Sequence, residues 1–87
     1  MNEKNAEKYS EVIEELLTGS FNIVPCDSLV AGVTLKVIEQ WPQLSSDKLL
    51  GILKEEGVEE ANADNIEEFF DELYNGIINL DEEEASC

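Results

Sequence analysis

Apolar positions recur at helical intervals from the start of the chain. Tyr9, Val12, Ile13, Leu16 and Leu17 stand at i, i+3, i+4, i+7 and i+8, one stripe of an amphipathic helix. Gly19 follows as a natural stop, so the spacing predicts a first helix over residues 5–18. Residues 20–26 then form a connector in which Pro25 forbids helix continuation. Asp27 or Ser28 stands where an amino-terminal cap belongs.

The segment Leu29 to Trp41 reads two ways. Leu29, Val30, Val33, Val37, Ile38 and Trp41 suit a helix that is apolar on nearly every side, whereas the alternation Val33-Thr34-Leu35-Lys36-Val37 suits a strand. No second convincing strand exists to pair with it, so a buried central helix ended by Pro42 is the preferred reading. Ser45 or Ser46 caps a third helix with Leu49, Leu50 and Leu53 inward and Gly57 as its stop, after which Val58 folds back onto Leu53. Asp64 and Glu67 have the spacing of a capping box ahead of a fourth helix lined by Ile66, Phe69, Phe70, Leu73 and Ile77, with Gly76 as an early end. The expectation is an all-α, four-helix single domain over residues 1–80, followed by a frayed acidic tail over residues 81–87.

Composition changes this picture by subtraction. The 87 residues carry 21 acids against five lysines, with no arginine and no histidine, for a net charge of −16. Without histidine there is no imidazole base and no Ser-His or Cys-His nucleophile. Without arginine there is no bidentate phosphate clamp, and direct binding to nucleic acid or to an anionic membrane is opposed by charge. High charge alone would suit a disordered chain, but 43% hydrophobic residues in periodic order specify a folded one. The amino end has no apolar stretch resembling a secretory signal, and the longest apolar run, Leu29 to Val33, is far short of the ~20 residues that span a bilayer. Cys26 and Cys87 form no C-x-x-C and read as two reduced thiols, with Cys87 open to an intermolecular disulfide in vitro. A cytoplasmic location is expected.

The charge is also polarised. Residues 17–54 are neutral in sum, whereas residues 55–87 hold thirteen acids and no base. On the fourth helix Glu67, Glu68, Asp71 and Glu72 form a carboxylate band opposite the aromatic stripe, and Glu55/Glu59 and Glu56/Glu60 extend it if the helix before them runs on. Like charges at i, i+4 each cost roughly 0.2–0.5 kcal/mol at low salt. One account of the band is a solvated face that keeps the chain soluble. The other is a surface that meets a basic partner. Carboxylates four residues apart on a helix lie ~6 Å apart along its axis. Phosphates on one DNA strand rise ~3.4 Å per nucleotide, a similar scale. Such a band is able to imitate a phosphate row.

Two shorter patterns bear on chemistry. Asp27-Ser28-Leu29, at the head of a predicted helix, resembles the attachment site of acyl carrier proteins, a small, four-helical, acidic family. Ser20-Phe21 before it, Ile38-Glu39 after it, and the run Asn65 to Leu73 extend the resemblance. It implies 4'-phosphopantetheine carried on Ser28. The chain departs from the family in having Val24-Pro25-Cys26 before the motif, a first loop shorter by about ten residues, and only Glu39 as an acid on the second helix. The segment Asp71 to Glu82 has a faint calcium-loop spacing, with Leu73 at a ligand position. Tyr9, Trp41, Phe69 and Phe70 read as core.

The sequence therefore predicts a non-enzymatic protein that binds a basic, nucleic-acid-binding partner as a phosphate-row mimic. By class it compares with phage-type anti-restriction or anti-CRISPR inhibitors and toxin antidotes. The contact residues expected are Glu67, Glu68, Asp71 and Glu72, flanked by Glu55, Glu56, Glu59 and Glu60. The alternative is a divergent carrier protein modified on Ser28. The apolar second helix with Trp41 also leaves a patch for homodimerisation or partner docking.

Overall fold

The computed structural model describes residues 5–85. Cys87, and the disulfide expected of it, lie outside the described residues, as does the amino-terminal segment 1–4. Four α-helices follow one another: α1 (Ala6–Phe21), α2 (Asp27–Gln40), α3 (Ser46–Glu55) and α4 (Ile66–Ala85), with a 3-10 turn at Trp41–Gln43 between α2 and α3. No strand occurs among the described residues, so the alternating segment 33–37 is helical. Helix α1 packs on α2 and α4, and α3 packs on the same two helices.

Helix α1 continues past Gly19, the expected stop, to Phe21. Glycine inside a helix costs about 1 kcal/mol. Carrying the helix two residues further buries the Phe21 ring, worth roughly 1.5–3 kcal/mol, and stacks it on Phe69 at 5.1 Å between centroids. Burial wins. Asn22 then ends the helix in the left-handed region, at φ 55°.

Helix α2 begins one residue before the expected caps: Cys26 is its N-cap residue, and Asp27 and Ser28 form its first turn. Val30, Val33 and Val37 are buried, and so is Thr34, whose hydroxyl donates to the Val30 carbonyl at 2.7 Å and thereby needs no other partner. Pro42 sits inside the 3-10 turn that closes α2. Ser45 caps α3 by accepting from the Lys48 amide. At its other end Gly57, at φ 97°, makes the paired stop bonds Gly57 N–H to Lys54 C=O and Val58 N–H to Leu53 C=O, and Val58 is buried as the sequence predicts.

The cap ahead of α4 lies two residues earlier than the Asp64/Glu67 spacing suggested. Asn62 Oδ1 accepts from the amides of Asp64 and Asn65, and Asn65 Oδ1 accepts in return from the Asn62 amide. This is the reciprocal geometry of a capping box built from two asparagines. Helix α4 also passes through Gly76, where an added β-carbon would stand 3.1 Å from Val12 Cγ1, so the glycine admits a close approach of α1. The Asp71–Glu82 segment is helix throughout and forms no calcium loop. Asp81 accepts a hydrogen bond from the Tyr9 hydroxyl, tying the end of α4 to the start of α1.

One core joins the four helices, with Tyr9, Ile13, Leu17, Val33, Val37, Leu49, Leu53, Phe69, Leu73 and Ile77 all fully enclosed. Trp41 and Phe70, read as core from the sequence, are only half-buried. They pack against the edge of the cluster, each with its ring beside that of Tyr74.

Candidate functional site

Antiparallel packing of α1 on α4 brings two sets of carboxylates to one surface. Glu68 and Glu72 from α4, with Glu15, Leu16, Gly19 and Ser20 from α1 and Asn65, line an open groove of about 390 Å³. A second depression of about 690 Å³ adjoins it, lined by Glu11, Glu14, Glu15, Thr18 and Gly19. Glu15 and Gly19 belong to both. Five carboxylates from two helices thus line this pair of depressions, which together form the furrow, and no lysine lines either among the described residues. Gly19 leaves its floor open, since nothing lies within 4 Å of where its β-carbon would be.

The four carboxylates expected as one band divide between two faces. Glu67, Glu68, Asp71 and Glu72 are all exposed, but consecutive helical residues stand about 100° apart. Glu68 and Glu72 therefore border the furrow, whereas Glu67 and Asp71 share a stripe with Phe70 and Tyr74 at i, i+3, i+4 and i+7.

The flanking residues behave differently again. Helix α3 ends at Glu55 and the chain turns at Gly57, so the i, i+4 pairs Glu55/Glu59 and Glu56/Glu60 do not form. Glu59 and Glu60 are exposed in the turn that follows. Glu55 and Glu56 instead reach across to α2, where Lys36 Nζ lies 3.0 Å from Glu55 Oε2 and 3.1 Å from Glu56 Oε1. These two bonds hold the Lys36 ammonium above the ordinary lysine pKa, Glu55 contributing most. A partner would find two of the eight predicted carboxylates already sharing one ammonium.

Glu11, Glu14 and Glu15 were not among the contact residues expected from the sequence. The signal for them was present: they fall opposite the Tyr9-Ile13-Leu17 stripe, on the outward side of the first helix.

On the opposite side of α4 the rings of Trp41 and Tyr74 stack at 5.4 Å between centroids and 20° between planes, and Phe70 lies 6.1 Å from Tyr74. Ser28, the predicted attachment residue, is exposed in the first turn of α2, and its Oγ lies 3.3 Å from Cys26 Sγ. That contact, with the Leu29 amide next in importance, draws the Cys26 thiol below its ordinary pKa. Among the described residues no group of three acidic, cysteine or histidine side chains is arranged to hold a metal ion, and no helix is long and apolar enough to cross a membrane.

Comparison with protein-family models, with curated proteins and with solved structures finds no match. The carrier-protein resemblance therefore rests on the quoted residues alone.

Proposed function

We propose that this chain acts without catalysis, by occupying the nucleic-acid-binding surface of a basic protein. The observation that carries the reading is the pair of adjoining depressions: Glu15 of α1 lines one with Glu68 and Glu72 of α4, Glu11 and Glu14 line the other, and no cation lines either among the described residues. Like charges gathered this way repel one another, so the arrangement favours a cationic surface that relieves the repulsion. The carboxylates are exposed, whereas general-acid work calls for a buried carboxyl. An inhibitor of a nucleic-acid enzyme or an antidote is the class that such a surface serves best.

The test is capture from the native host at low and high salt, followed by competition. A protein retained at low salt should lose its grip on DNA when this chain is added. Replacing Glu15, Glu68 and Glu72 together by Gln should abolish capture at ~0.15 M salt while the helical circular-dichroism spectrum stays intact. Undiminished capture by that triple variant would sink the reading.

A second reading keeps one observation in its favour: Ser28 is exposed at the amino end of α2, as a phosphopantetheine carrier would require. An enzyme docking along α2 would meet only Asp27 and Glu39 as acids. Co-expression with a broad phosphopantetheinyl transferase decides it, since an unmodified mass removes the carrier reading.

A further inference from the structure

The aromatic residues of this chain divide sharply by environment. Tyr9, Phe21 and Phe69 are enclosed in the core, while Trp41, Phe70 and Tyr74 gather at one place on the surface. Tyr74 is 46% exposed, and its ring continues the Trp41 stack outward. Aromatic rings left partly in water lose much of the benefit of burial, so a cluster of three is a place where a partner gains by covering them.

Charge specifies what covers them. Glu67 and Asp71 lie on the same stripe of α4 as Phe70 and Tyr74, and α4 carries no basic residue. The faces of the rings are themselves electron-rich. An apolar segment settling here would strip water from two carboxylates without pairing them. A second copy of this chain is disfavoured as well, since it brings another −16 and has no arginine to offer. A planar cation satisfies both demands, lying flat on a ring while its edge donates to a carboxylate. Lysine, a compact and strongly hydrated point charge, can approach a ring or a carboxylate but lacks the planar group that stacks on one while its edge donates to the other.

We infer that the Trp41–Tyr74 stack, with Glu67 and Asp71 beside it, is a docking site for an exposed arginine of the partner. The inference rests on the reading that the partner is basic, and it adds which cation is recognised and where. It also gives the two halves of the divided carboxylate band different duties. Glu68 and Glu72 supply a charge-reading furrow, and Glu67 and Asp71 flank an arginine-specific anchor.

Trp41 is the single tryptophan, so its emission reports on this site directly. The experiment titrates the full chain with an alternating arginine–glycine peptide and a lysine–glycine peptide of equal length at ~0.15 M salt. Both should bind through charge. The arginine peptide should bind about two- to fivefold more tightly and change Trp41 emission, while the lysine peptide leaves emission unaltered. Tyr74→Leu should abolish the arginine advantage without moving the lysine affinity. If that variant melts early, Asp71→Asn gives the same information from an exposed position, with a reduced emission change expected.

Equal affinities with unchanged emission would overturn the arginine site and leave the basic-partner reading standing. An arginine advantage that survives both variants would also overturn it. Failure of both peptides to bind would remove both readings together. A concentration-dependent emission change without peptide, matched by dimer in sedimentation, would make a second copy the occupant and refute the inference.

Discussion

The Glu56 carboxylate lies over Gly32, so close that a β-carbon on residue 32 would stand 2.7 Å from Oε2 and 2.9 Å from Cδ. The glycine makes room for a side chain that crosses from the end of α3 to bond Lys36 one turn further along α2. Gly32→Ala should push the carboxylate off this seat. The helix gains about 1 kcal/mol from alanine. Against this stands a displaced surface pair, which is a weak interaction. The expected net change in urea denaturation is smaller than the alanine gain, and Glu56→Gln should then have no further effect in the Gly32→Ala background. A loss above ~2 kcal/mol would mean that helix backbones, and not the carboxylate, are crowded at this point.

Alkaline pH tests the same junction. Pairing with Glu55 and Glu56 raises the Lys36 pKa in the folded chain. A raised lysine pKa contributes stability that is fully present below the unfolded value of about 10.4 and disappears as pH climbs through the folded value. Melting temperatures of the wild type and Lys36→Met should differ by a constant amount from pH 7 to 9. The gap should close in the alkaline limb. A gap that persisted there would assign the role of Lys36 to its methylene stem.

Two glycines in helix interiors should respond differently to alanine. Nothing lies within 4 Å of a β-carbon at Gly51, an exposed position in α3, so Gly51→Ala should stabilise by roughly 0.5–1 kcal/mol. For a chain of this size that corresponds to several degrees in Tm, about 4–8 °C per kcal/mol. At Gly76 the same change meets Val12 at 3.1 Å, and the α1–α4 contact has to give. Thermal melts of the two variants should rank Gly51→Ala above the wild type and Gly76→Ala below Gly51→Ala.

The asparagine cap also allows a direct comparison. Asn62→Ala removes the acceptor of two backbone amides and should cost about 0.5–2 kcal/mol in chemical denaturation. Glu67→Gln, which the sequence spacing marks as the capping partner, should leave stability nearly unchanged. A larger loss from Glu67→Gln would reverse the assignment.

These cases mark how far the sequence carried. Helix number, the inward stripe of α1 and the Gly57–Val58 stop were legible because each follows from local periodicity or from one residue's backbone freedom. The ends of α1 and α4 were not, because Gly19 and Gly76 are overruled by partners far along the chain, Phe69 and Val12. The furrow shows the same limit. Glu68 and Glu72 were visible as an acidic face, yet their neighbour Glu15 comes from a helix some fifty residues away. Glu55 and Glu56 looked available until Lys36 was found between them. Local pattern sets the elements, and tertiary contact decides which charges remain free to act.

The Tyr9–Asp81 bond bears on how the domain would yield to a pull. Helix α1 leads away from this bond and α4 returns to it, so force applied through the two outermost helices enters at a single pole. Contacts between α1 and α4 would then be loaded one after another, as a zipper is opened, and never in parallel as in shear. Mechanically the Tyr9–Asp81 bond is the zipper's first tooth. Beyond it the next loaded contact is Gly76 against Val12, and only the last step reaches the stacked Phe21 and Phe69.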